Sequence, residues 1–499
     1  MTDSLSLGLI IMKNSRKEKD AFGEMEVPAD AYWGISTQRA VRNFKISGRQ
    51  MPKQFILALA TVKKACLLAN LDLGTIESEL ANAISKSVDE ILLEKKMLDQ
   101  FPVDIFQTGS GTQSNMNMNE VLANRANEVL GHPRGTKSPV HPNDHVNLSQ
   151  SSNDVIPTAM HIAALAASTS DMVPSLKKLI QSLANKIAEF ADVIKVGRTH
   201  LEDAVPIPLS MELEVYRLQM ANNLRDLEAV HEELVIVPIG GTAVGTGLNA
   251  PEGFAEKAVE HLSRLTQLPI RTHAVKAEGI ASHRALGRLS ASLRQIALSC
   301  LKMANDIRLM ASGPRAGLGE LLLPQNEPGS SIMPGKVNLT QCEALAQVCV
   351  QVIGHDATVT FAESQGSLLD LNVTKPLMTV NVLDAIHILS NGIRSFVENC
   401  LDGIKVNEET IKRQLESSLM IVTRLSPFIG YDKAGEIASR AHTIINQDFP
   451  IRYGAPEVFT DSNSTASVSY IIPGHQCMQH SAEIEYNPRI LILQLVRGQ

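Results

Sequence analysis

Between residues 290 and 312 the apolar side chains Leu293, Ile296, Ala297, Cys300, Leu301, Ala304, Ile307 and Ala311 recur at three- and four-residue steps, and Gly313-Pro314 ends the run. A second run carries Leu176, Leu179, Ile180, Leu183, Ile187 and Phe190 in the same rhythm. Both have the period of a long α-helix, with stripes broad enough to need cover on more than one side. The chain is thereby constrained to helix-on-helix packing: a bundle, with contacts between subunits to cover what one chain leaves open. Composition supports this, because 44% of residues are hydrophobic but only 4% are aromatic, so Ala, Leu, Ile, Val and Met must fill the core. At 499 residues the chain exceeds one simple core and implies roughly two to four domains.

A formal net charge of −7 argues against nucleic acid or an anionic membrane as partner. The six cysteines (Cys66, Cys300, Cys342, Cys349, Cys400, Cys477) show neither CxxC pairing nor metal-ligand spacing, which fits reduced, mostly buried thiols in a cytoplasmic protein. Residues 5–12 are apolar, but Asp3 precedes them, the first basic residue is Lys13, and the run is too short to span a bilayer. No Arg-rich transit peptide is visible, so the expected location is the cytoplasm, with the mitochondrion open for a eukaryotic source.

Residues 329–338 read GSSIMPGKVN. Glycines at both ends supply backbone freedom, while Pro328 and Pro334 fix φ and remove donors, so neither helix nor strand can form there. Paired hydroxyls (Ser330, Ser331) beside a lone cation (Lys336) and an amide (Asn338) suit a loop that closes over a small anion. A plain surface turn of small residues is the alternative. Three further polar stretches lie among helical patterns: QTGSGTQSNMNMNE (107–120), HPNDHVNLSQSSNDVIPTAMH (141–161) and GRTHLEDAVP (197–206).

With these four motifs in this order, the chain resembles the fumarase/aspartase superfamily in its class II fumarase form. The match runs from EKDAFGEMEVPADAYWG (18–34) to GYDKAGEIASRAH (430–442), and Thr340-Gln341-Cys342-Glu343 extends the signature loop in its fumarase spelling. The resemblance implies a mainly α, three-domain fold: a small N-terminal domain at 1–150, a central long-helix bundle at 151–407, and a small C-terminal domain at 408–499, of which 443–499 diverges. It also implies a homotetramer in which the bundles merge and each active site draws on three subunits. The implied reaction is reversible hydration of fumarate to L-malate through an aci-carboxylate intermediate, with no cofactor and no metal. As a metal site the His141, Asp144 and His145 cluster lacks a further spaced ligand.

Such chemistry needs a base for a weakly acidic C–H, a proton donor for the departing hydroxyl, and fixed positive ends aimed at the carboxylate that becomes doubly anionic. In an acidic chain that positive potential must be held locally, by Lys336 and oriented amides. By resemblance, Ser330 is the base, acting as an oxyanion held by loop amides. His200 handles the water and Glu343 pairs with it. Ser110, Thr112, Ser151, Ser152, Asn153, Thr199, Lys336 and Asn338 bind substrate, and His141, Asn143 and Asp144 match a peripheral anion site. Read without the family, Asn153 before Asp154 and a helix with Pro157 also suits a helix cap.

Aspartate ammonia-lyases share the GSS loop but tend to carry a GAGTS-type first motif and Thr at the place of Ser152, so the spelling favours fumarate hydratase. A catalytically impaired paralogue that serves as a structural or binding protein is the third reading, raised by departures from the family pattern. Glu202 replaces a glutamine, Leu209-Ser210-Met211-Glu212 stands for LGQE, Val275, Ala277 and Arg284 replace Asn, Phe and Asp, and Leu339 replaces a proline. A carboxylate at 202 would repel a dianion.

Overall fold

The computed structural model describes residues 14–448. The apolar stretch 5–12, Cys477 and residues 449–499 of the divergent tail lie outside the described residues. The described residues open with an antiparallel hairpin, β1 (Ser15–Asp20) and β2 (Gly23–Pro28), followed by α1 (Ile35–Asn43), α2 (Lys53–Asp72), α3 (Ser78–Leu92) and α4 (Thr112–Val129). Next come α5 (Ser152–Ala167), α6 (Val173–Glu189), a second hairpin of β3 (Ile194–Thr199) and β4 (Glu202–Pro208), then α7 (Leu209–Leu234), α8 (Phe254–Thr266) and α9 (Lys276–Ala281). The helices α10 (Arg284–Met310), α11 (Thr340–Gly366), α12 (Lys375–Asn399), α13 (Glu408–Ser417), α14 (Ser426–Ile429) and α15 (Tyr431–Asp448) complete it. The remaining strand pairings are two residues long, so the fold is mainly α, as expected.

Two compact units are formed. One comprises residues 14–180, 219–305 and 340–398 of those described, the other 181–218, 306–339 and 399–448. In the first, α2 packs against α3, α5 and α8, and its Phe55, Leu59, Val62 and Cys66 are buried. By length and composition α2 could cross a bilayer, but 67% of its most apolar window is buried inside the protein, which marks a core helix. A buried carboxylate fixes α1: Glu120 on α4 accepts the N–H groups of Gly34, Ser36 and Thr37 and the Thr37 hydroxyl, filling the unpaired donors at a helix N-terminus.

The stripe that constrained the fold is the buried face of α10: Leu293, Ile296, Ala297, Cys300, Ala304 and Ile307 are all inaccessible, whereas Leu301 is only partly covered. α5 and α6 are joined by a π-helical turn, Ser168–Met172, in which Val173 donates to Ser168. Pro174 follows it and has no N–H to continue a regular ladder. Cys66, Cys300, Cys342, Cys349 and Cys400 are buried and form no disulfide among the described residues. Not every apolar face is covered: on α11 Val350 is 60% and Phe361 68% exposed, and Met211, Val215 and Leu218 are exposed along α7.

Candidate active site

In the first unit the polar stretch 107–120 leads into α4 over two glycines at which a side chain would be crowded. Gly111 is left-handed (φ 75°), and a Cβ there would meet Ile156 at 2.9 Å. A Cβ on Gly109 would overlap the Val373 carbonyl, and Gly109 accepts the Lys375 N–H. This flat backbone lines up three hydroxyls: Ser110 Oγ is 2.8 Å from Thr112 Oγ1, which is 2.9 Å from Ser152 Oγ. The cap of α5 is Ser151 rather than Asn153. Ser151 is extended (φ −126°, ψ 154°), its hydroxyl accepts the Asn153 N–H, and Asp154 returns the bond to the Ser151 N–H. The reciprocating pair, Ser151 and Asp154, stand three positions apart, the spacing of a capping box. The Asn153 side chain is thereby released from capping. Its Nδ2 donates to the Ala243 carbonyl at 2.9 Å, which leaves its second N–H and its oxygen.

That contact reveals a segment the sequence reading passed over, GGTAVGTGLN (240–249). Gly240, Thr242, Gly245, Gly247 and Asn249 all have positive φ, and Gly245 lies so close to Ala277 of α9 that a Cβ would sit 2.3 Å from its N. Asp154 ties this loop to the Ser151–Asn153 segment by accepting the N–H groups of Gly240 (3.0 Å) and Thr242 (2.9 Å). The signal was present as glycine density between two helical patterns.

His141 caps the π-helical turn Pro142–Val146. Its Nδ1 accepts the N–H groups of Asn143 and Asp144, and burial pushes its pKa down. An accepting Nδ1 is unprotonated, so the Asp144 carboxylate 3.2 Å away is a neighbour and not an ion-pair partner. Asn143 and Asp144 are exposed. Glu343 stands in the first turn of α11, half-buried.

In the second unit the hairpin of β3 and β4 presents His200. Thr199 pairs with Glu202, so His200 (φ 59°) and Leu201 (φ 64°) form a two-residue turn with both residues left-handed. Asn-Gly is the usual occupant of such a turn, and a histidine and a leucine there store strain of about 1–3 kcal/mol each, a mark of functional positions. Below the turn, buried Lys195 lies 3.0 Å from Glu212 and 3.3 Å from Glu320, and Arg198 lies 2.6 Å from Glu320 and 3.2 Å from Gln414. This network anchors the strands while Thr199, His200 and Glu202 stay exposed at the tip.

The signature loop is closed on itself. Gly329 donates to the Lys336 carbonyl at 2.9 Å, and Asn338 Nδ2 donates to the Gly329 carbonyl at 2.7 Å, keeping its other N–H. A Cβ on Gly329 would meet Asn338 N at 2.6 Å. Inside the loop, Ser330 Oγ accepts the N–H groups of Ile332 (3.2 Å) and Met333 (2.9 Å). Both donors favour an oxyanion at Oγ over a neutral hydroxyl. The Lys336 side chain is exposed.

The sequence profile of the lyase family matches residues 23–354. The class II fumarate hydratase of Thermosynechococcus vestitus is 50% identical over 430 residues, 86% of this chain and 92% of the relative. That of Ralstonia nicotianae is 50% identical over 428 residues, with the same coverage of both chains. Among solved structures, the recombinant class II fumarase of Schistosoma mansoni superposes with a TM-score of 0.85 at 40% identity, covering 86% of this chain and 93% of that one. The chain therefore belongs to the lyase family and, within it, to the class II fumarate hydratases.

Proposed function

We infer that the chain interconverts fumarate and L-malate, with Ser330 as the base. The observation that carries the assignment of Ser330 is the pair of amide N–H groups aimed at its Oγ inside the GSSIMPGKVN loop. In the malate-to-fumarate direction the Ser330 alkoxide takes the proton from the carbon beside a carboxylate. The electron pair moves into that carboxylate, giving the aci-carboxylate, and then expels the hydroxyl as water with a proton supplied through His200, which Glu343 polarises. Lys336 and the free N–H of Asn338 meet the growing negative charge. The hydroxyl chain of Ser110, Thr112 and Ser152, with Ser151, Asn153 and Thr199, fixes the rest of the dianion. His141, Asn143 and Asp144 serve a peripheral anion site.

The assembly in this reading is a cytoplasmic homotetramer whose sites draw on three subunits, divided as an N-terminal domain to about 150, a bundle to 407 and a C-terminal domain. The exposed apolar side chains of α7 and α11 support it, since a lone chain would leave them in water. Purified protein mixed with fumarate tests the activity through the ultraviolet absorbance of the conjugated double bond. Loss without ammonia is the expected result. Loss only with ammonia would indicate an aspartate ammonia-lyase, and no loss a non-catalytic paralogue.

Lys336→Met should depress kcat and raise KM together, because charge on the carboxylate grows toward the transition state and the lost cation is worth most there. Steady-state kinetics with L-malate check this. A rise in KM alone would make Lys336 a uniform binder.

A further inference from the structure

Behind the Ser151–Asn153 segment lies a charge for which the roles assigned so far have no use. Lys63 of α2 is 1% exposed, yet its Nζ meets only neutral carboxamides, Asn147 Oδ1 at 3.0 Å and Gln150 Oε1 at 2.9 Å. Asn147 Oδ1 also accepts from Asn115 Nδ2 (3.0 Å) and Asn119 Nδ2 (3.2 Å) of α4. Asn147 Nδ2 in turn donates to the Gln150 carbonyl at 3.1 Å, one residue before Ser151. Asp154, in the first turn of α5 and fully buried, accepts the N–H groups of Ser151, Gly240 and Thr242. Lys63 and Asp154 are thus two buried ionisable groups tied to the same segment.

An unpaired ammonium in the interior is costly, and a chain that needed only packing would place an apolar side chain there. Burial indeed pushes the Lys63 pKa down to about 7 and the Asp154 pKa up to about 6, with each group's charge opposing the other's shift. The Asp154 carboxylate, tied to the same segment, offsets the Lys63 charge at a distance, so what Lys63 brings to the segment is its pair of hydrogen bonds to Asn147 and Gln150.

We propose that Lys63 is a positioning residue of the substrate site: through Asn147 and Gln150 it sets the segment that presents Ser151, Ser152 and Asn153. The proposal rests on the reading that this segment grips a substrate carboxylate. That carboxylate is held alike in substrate and transition state, so the effect falls on KM.

The test is steady-state kinetics of the full-length enzyme with L-malate and fumarate, with thermal melts and light scattering to establish folding and assembly. Lys63→Met should raise KM by ~10-fold or more with kcat within ~3-fold, and Lys63→Arg, which keeps charge and donors, should return KM to within ~3-fold of the parent. Lys64→Met, one residue along and paired with Asp89, should leave both constants unchanged. Should Lys63→Met fail to assemble, Gln150→Leu removes one of its two acceptors and should raise KM in the same direction. An unchanged KM in an assembled Lys63→Met, or in Gln150→Leu, overturns the proposal, as does a loss confined to kcat. Asn153→Ala separates the two levels: if it raises KM while Lys63→Met does not, only the role of Lys63 falls. If neither moves KM, the segment does not bind substrate and both readings fall.

Discussion

Ser330→Ala is expected to lower turnover by at least about 100-fold while leaving folding and assembly intact, the usual scale for losing a general base. The reasoning is geometric. A serine hydroxyl in water is far too weak an acid to lose its proton near neutral pH, so Ser330 can serve as a base only where its alkoxide is specifically stabilised. The Ile332 and Met333 N–H groups point at Oγ within 3.2 Å, and loop closure over a substrate would remove competing water. The substitution deletes Oγ and leaves those amides and the Gly329–Asn338 closure in place, so the loop should keep its shape. Turnover within a few fold of the parent would remove Ser330 from the mechanism and leave its two hydrogen bonds as an ordinary serine turn.

Two inactive variants should restore one another. His200→Asn and Ser330→Ala, unfolded together and reassembled at equal amounts, are expected to regain activity that neither shows alone. If His200 and Ser330 of one site come from different chains, random mixing leaves about a quarter of the sites with neither lesion. The measurement is the rate of fumarate loss after reassembly, set against each variant carried through the same cycle. Mixed tetramers that form and stay inactive would refute shared sites, and an active monomer in light scattering would refute the assembly.

The order of the four motifs, the helical class and the burial of the thiols were all readable in one dimension. They depend on local rules: apolar spacing along α6 and α10, glycine and proline around the signature loop, and the absence of paired cysteines. The GSSIMPGKVN stretch behaves as its composition demands, bending back until Asn338 meets Gly329. At His200-Leu201, by contrast, two left-handed non-glycine residues close a hairpin, a conformation that local turn preferences do not favour. Glu202, suspect for its charge, lies exposed opposite Thr199, and Arg284 is paired with Glu233 at 2.6 Å.

Lys63 reads in sequence as one of two adjacent helix-surface lysines, and only one of them is on the surface side. Which one turns inward is decided by partners 84 and 87 residues away, Asn147 and Gln150, whose carboxamide oxygens accept from the buried ammonium. The same holds for Asp154 and the 240–249 loop, joined across 86 residues. Local pattern determined which segments are helices and which residue types the site has to work with. Tertiary structure decided where the buried charges stand, because the free energy of an interior ion depends on groups that no short-range periodicity records.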